Sequence, residues 1–194
     1  MQSSRVNYES AASHFDPLRL ERVFAACFAI DFNTRLCGGA PEPIYQPATD
    51  ATACHLLWYR EDYFASALHE VAHWCIAGQA RRRQVDFGYW YAPDGRSPEQ
   101  QAAFEAVEDK PQTLEWYFSL ACDYSFQLSA DNLAAGNGEM PEVGVFRRRV
   151  LRQALHWQRD GLPPRANQFY LALCREFGTT LSIAELCLRE ECLL

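Results

Sequence analysis

In YFASALHEVAHWCIAG, residues 63–78, apolar side chains recur at intervals of three and four. At about 100° per residue, Leu68, Val71 and Cys75 fall within about 20° of Phe64 and form one helical stripe. Ala65, Ala72 and Ile76 extend the apolar surface past half the circumference. The spacing predicts a central helix from about Asp62 to Ala77, closed by Gly78. Upstream, Asp16 reads as an N-cap and Pro17 as the first residue of a helix through LRLERVFAACFAI. Residues 34–50, rich in Gly, Pro and Thr, read as irregular.

CHLLWYR (54–60) and VDFGYWYA (85–92) read as strands from their aromatic and branched content, with PDGR as a turn after the second. Ser97 and Gln100 form a capping box around Pro98. The helix it starts reads on through QAAFEAVEDKPQTLEWYFSLACDY, kinked at Pro111. FQLSA is a short strand candidate and AAGNGEMPEVG a loop. VFRRRVLRQALHWQRDG, ANQFYLALCREFG and SIAELCLREECLL give a helical last third. The mixture predicts a single α+β domain over residues 1–194, with a small mixed sheet, dominant helices and the 63–78 helix at its centre.

Charge and cysteine content narrow the setting. The 194 residues carry a net charge of −7, which speaks against general nucleic-acid binding. No apolar run approaches the roughly 20 residues of a membrane helix, and the N-terminus lacks a secretory pattern, so a cytoplasmic protein is expected. The eight cysteines have no paired spacing and read as reduced thiols. Basic residues cluster at Arg81–Arg83 and at Arg147–Arg149 with Arg152, either as solvated faces or as docking surfaces for an acidic partner.

The chemistry lies on the helix expected from about Asp62 to Ala77. His69 and His73 fall about 140° and 180° from Phe64, one turn apart, so their rings can converge on one ion. With Glu70 they make H-E-x-x-H, in which two histidines ligate and the glutamate acts on a bound water. Glu70, near 240°, is able to orient a ligand, relay a proton or form a salt bridge. His14, His55 and His156 sit at no spacing that completes such a site, so a carboxylate is expected as third ligand. On the helix through Pro111, Glu108 lies at the border of the apolar stripe and Glu105 further out. Glu108 is therefore favoured, with Glu105 as the alternative.

Two histidines and one carboxylate leave open positions. With Fe(II) they make the facial triad of non-haem oxygenases, and with zinc a metallopeptidase or other metallohydrolase using Glu70 as base. His14-Phe15-Asp16 also matches the H-x-D of 2-oxoglutarate oxygenases, but that fold needs many strands and Asp16 already has a capping role.

LHEVAHWCIAGQARRRQVDFGYWYAPDGR followed by FEAVEDKPQTLEW resembles the bacterial elongation factor P hydroxylase family, most densely from Leu68 to Trp116. The resemblance implies a cytoplasmic enzyme that hydroxylates the β-lysylated lysine of elongation factor P, using Fe(II) and dioxygen. It implies a 2-His-1-carboxylate site made of His69, His73 and Glu108 or Glu105, on an α+β fold similar to a bacterial endoribonuclease. In that setting Tyr89 and Trp90 would line the entrance for a long lysyl side chain, and Asp86 would receive its ammonium group. Arg81 and Arg82 would face the acidic protein substrate.

Overall fold

The computed structural model describes residues 14–88, 97–129, 141–180 and 182–193. Among the described residues, five helices and one three-stranded sheet form an α+β fold. Helix α1 (Pro17–Phe32) begins where Asp16 Oδ1 accepts from Leu18 N at 2.9 Å, and it ends at Asn33 in the left-handed region. Three strands follow: β1 (Thr34–Ala40), β2 (Ile44–Gln46) and β3 (His55–Arg60). In the order β1-β3-β2, β1 runs parallel to β3 and β2 antiparallel to it.

The sheet departs from the sequence expectation. Residues 34–46, expected to be irregular, supply two of its three strands. Gly38 and Gly39 hide β1 from a composition reading, yet the strand needs them. A Cβ on Gly38 would stand 2.6 Å from Tyr59 Oη, and Gly39 has φ of +90° where the register slips.

Helix α2 (Phe64–Ile76) carries the opening motif and packs against β3, α1, α3 and α5. Its stripe is buried as the periodicity requires: Phe64, Leu68, Val71 and Cys75 are all in the core. Trp74 extends the burial, with its ring 5.0 Å from that of Phe24 and 4.7 Å from Phe28. Truncating so enclosed an aromatic costs about 3–5 kcal/mol. Gly78 is not the terminator expected. Ala77 caps α2 in an extended conformation, and two arginines described below take its last carbonyls.

Residues 85–88 form a tight turn rather than a strand, with Asp86 and Phe87 at φ of +48° and +55°. Residues 89–96, which hold the rest of that strand candidate and the PDGR turn, lie outside the described residues. The capping box at Ser97 starts α3 (Pro98–Cys122), one helix that continues through Pro111. Proline supplies no N–H there, and nearby the Thr113 hydroxyl takes up the Asp109 carbonyl.

Phe126–Ser129 form no strand. The expected loop is helical from Pro141, where α4 (Pro141–Asp160) begins, and α5 (Pro164–Phe177) closes at Gly178 in the left-handed region. The last segment is not a helix. It makes two short turns, at Ile183–Glu185 and Glu190–Leu193. No helix among the described residues is long and apolar enough to cross a membrane.

Candidate metal centre

The site lies where α2 packs on α3. His69 and His73, one turn apart, project from α2 toward a polar stripe on α3. The stripe is Glu105, Glu108, Gln112 and Glu115, spaced by three and four residues, and all four are buried. Burying several acids on one helix costs heavily unless something positive meets them.

Three groups converge. His69 Nε2 and His73 Nε2 face each other at 3.1 Å. Glu108 bridges them, with Oε1 3.3 Å from His73 Nε2 and Oε2 3.5 Å from His69 Nε2. Among the described residues these are the side chains whose donor atoms are close enough to share an ion. Three donors that share one ion at about 2.0–2.2 Å stand roughly 3–3.5 Å from one another.

The fit has further support in an orphaned atom. Glu108 Oε2 is buried and has no hydrogen-bond partner. A buried carboxylate oxygen without a donor is unfavourable, and a cation between the three groups would satisfy it. The side-chain exposures of 26% for His69, 10% for His73 and 3% for Glu108 show that the cluster opens to solvent on the His69 side.

A fourth group orients the first. Glu115 Oε2 accepts from His69 Nδ1 at 2.8 Å. That bond places a proton on Nδ1 and turns Nε2 toward His73 and Glu108, the arrangement by which carboxylates orient metal-binding histidines.

Burial alone would raise the Glu108 carboxyl, but His73 above all, with His69 and Gln112, brings it down to about 2. Burial likewise disfavours charge on His69, and Glu115, then Glu108 and Glu70, overcome it and lift the imidazole to about 10. Glu108 is therefore ionised at neutral pH.

The remaining expected residues divide. Glu105 is buried on the same stripe, but it is not one of the three converging groups. Glu70 is half-buried beside them, and burial raises its pKa against the pull of both histidines. Asp86 Oδ1 accepts from Tyr45 N at 2.8 Å and so ties the 85–88 turn to the edge strand β2. Tyr89 and Trp90 lie outside the described residues.

Arg82 is half-buried and turned toward the end of α2. It donates to Ala77 O, and its guanidinium carbon lies 5.6 Å from the Phe32 ring centroid and 5.9 Å from that of Trp74. Arg81 donates to Phe87 O at 3.0 Å. Both arginines thus have partners inside the fold.

Three residues escaped the sequence reading. Glu115 follows Glu108 by two turns. Gln112 lies between them, donates to Ser129 O at 2.6 Å and accepts from Ser129 N at 3.0 Å, which fastens the chain after α3 to the stripe. Arg165, from α5, donates to the carbonyls of Trp74, Cys75 and Ala77 at 3.1, 2.9 and 2.6 Å.

Comparison with known proteins gives a consistent picture. The family model described as elongation factor P hydroxylase matches residues 23–186. A protein of Haemophilus influenzae named elongation factor P lysine hydroxylase is 44% identical over 157 residues, 81% of this chain and 86% of that one. The family match spans His69, His73, Glu108 and Glu115.

Proposed function

The chain belongs to the elongation factor P hydroxylase family, and from that premise we propose that it hydroxylates the β-lysylated lysine of elongation factor P in the cytoplasm. The observation that carries the reading is the convergence of His69, His73 and Glu108 on one point, backed by Glu115.

These three side chains would hold Fe(II), which when bound supplies the activation of dioxygen needed to attack an unactivated C–H bond. One oxygen atom enters the side-chain carbon and the other leaves as water, with electrons and protons from an external donor. The open side beside His69 would admit the substrate carbon. The ionised Glu108 lowers the net charge of a loaded site, and Glu115 holds a proton on Nδ1 of His69 so that Nε2 is the nitrogen turned to the metal. Glu70, whose pKa burial raises, would deliver or receive a proton at its carboxyl beside the pair. Asp86 would use the oxygen not bonded to Tyr45 N to receive the lysyl ammonium, and Tyr89 and Trp90 would flank the chain that carries it.

The test is anaerobic reconstitution with Fe(II) or with Zn(II), then mass measurement of β-lysylated elongation factor P before and after air. A gain of one oxygen atom with iron only, absent in His73→Ala, is the expected result. Activity with zinc, in the form of peptide or amide hydrolysis, would sink the reading.

A further inference from the structure

Two adjoining cavities, of about 600 and 530 Å³, lie along the outer face of α4 and share Gln153 and His156. The first is bounded by the end of α2, Lys110 of α3 and the start of α5. The second is bounded by Asp109, Arg149, Arg152, Leu155 and Arg159. Together they form one trough. Among the described residues its charged lining is Arg82, Lys110, Arg149, Arg152, Arg159 and Arg165 against the carboxylate of Asp109, with Asp160 3.0 Å from Nδ1 of the lining His156. This is a concentration of positive charge on a chain whose net charge is −7.

Several of these cations already serve the fold. Arg82 and Arg165 hold the end of α2, Arg149 pairs with Asp109 at 3.0 Å, and Arg159 pairs with Asp160 at 2.6 Å. Lys110 and Arg152 differ: both are exposed, and among the described residues neither forms an ion pair. Beside them Leu155 is 46% exposed. An exposed leucine among arginines is the composition of a protein interface. A nucleic-acid track needs a longer run of cations.

Cys75 and Lys110 each stand two residues past a member of the metal centre, His73 and Glu108, about 200° further round their helices, so the trough opens on a different face of the α2–α3 pair from that centre. We propose that it is the docking surface for an acidic segment of the protein substrate, read by Lys110 and Arg152 and anchored on Leu155. The proposal rests on the reading above in taking the partner to be elongation factor P.

The experiment compares binding of intact β-lysylated elongation factor P to the wild type, to Lys110→Glu/Arg152→Glu, and to a charge-matched control, Arg22→Glu/Arg35→Glu. It is followed by fluorescence anisotropy without air, so no turnover is needed. The trough variant is expected to bind roughly tenfold more weakly at low salt, with the gap closing as salt is added, and the control to stay within about twofold. Leu155→Ser is expected to weaken binding at every salt concentration, and polyglutamate to displace the factor. Equal weakening in trough and control variants, no weakening in the trough variant, or displacement by a polyribonucleotide in preference to polyglutamate would overturn the docking assignment. Normal docking without oxygen addition in air would instead reject the proposed reaction and leave the trough standing.

Discussion

His69 Nδ1 lies 2.8 Å from Glu115 Oε2, a bond between residues 46 apart in sequence that joins α2 to α3. It sets which face of the imidazole meets Glu108. Carboxylates in this position typically tune metal affinity or activity 10–100-fold. Glu115→Gln is therefore expected to weaken Fe(II) binding by roughly 10–100-fold while the protein stays folded. Metal titration alongside circular dichroism checks it. Unchanged affinity would mean the bond only fastens the two helices.

Glu108 and Glu105 are both buried, yet the structure separates them by what they approach. Only Glu108 has oxygens within 3.5 Å of both histidines, one of them without a hydrogen-bond partner. Glu108→Gln is expected to abolish stoichiometric metal binding and hydroxylation. Glu105→Gln is expected to keep the metal, with any loss appearing as lower thermal stability. Metal content after reconstitution and melting temperature, measured on both variants, separate the two roles.

Periodicity made the centre of this fold legible. The stripe through Phe64, Leu68, Val71 and Cys75 put α2 in the core and its histidines on a second face, and the capping box put the start of α3 at Ser97. The rule that picked Glu108, nearness to the apolar border of α3, would also have picked Glu115, about 20° from Phe104 on the same wheel. It was missed because only ligands were sought, not the group that orients one. Strand β1 was hidden for a different reason. Gly38 answers to Tyr59, from a strand distant in sequence, and no local pattern carries that information. The 85–88 turn was misread because Tyr45 and Phe87, stacked at 4.4 Å, make an aromatic segment useful without a sheet. The final segment shows helical spacing but is short, and it packs Leu186 and Leu193 into the core while Gln158 of α4 takes the carbonyls of Ile183 and Leu186, so spacing alone does not sustain a helix there.

The metal-free protein should show a dependence on pH that the loaded protein lacks. Glu115 and its neighbours raise His69 from 6.5 to about 10 in the folded state. A raised pKa contributes stability that is complete below the unfolded value and disappears as pH climbs through the folded one. The chelated wild type is thus expected to lose melting temperature progressively between pH 6.5 and about 10, and Glu115→Gln to flatten that slope. Thermal melts across this range, with and without metal, decide it. A flat profile for the chelated wild type would mean that His69 is neutral in the metal-free fold.

The end of the metal-bearing helix depends on two arginines, and they should not be equivalent. Helix C-termini leave carbonyls without intrahelical donors, and cations there also oppose the helix dipole. Arg165 serves Trp74, Cys75 and Ala77, whereas Arg82 serves Ala77 alone. Burial first and then Arg82 lower the Arg165 pKa, so the pair repels across a shared carbonyl. Removing Arg82 relieves that repulsion and leaves Arg165 in place. Removing Arg165 strands the carbonyls of Trp74 and Cys75. Arg165→Met is therefore expected to cost roughly 2–4 kcal/mol, the loss of charged hydrogen bonds with acceptors left buried, and Arg82→Met clearly less. The double variant should fall short of or exceed the sum, because the two share Ala77 O. Denaturant melts of the three variants measure this, and equal costs that add would show that the carbonyls are capped independently. His73 sits one turn before Ala77, so the larger loss should also loosen metal binding, which Arg165→Lys would restore only in part because its single ammonium does not reproduce the guanidinium fork.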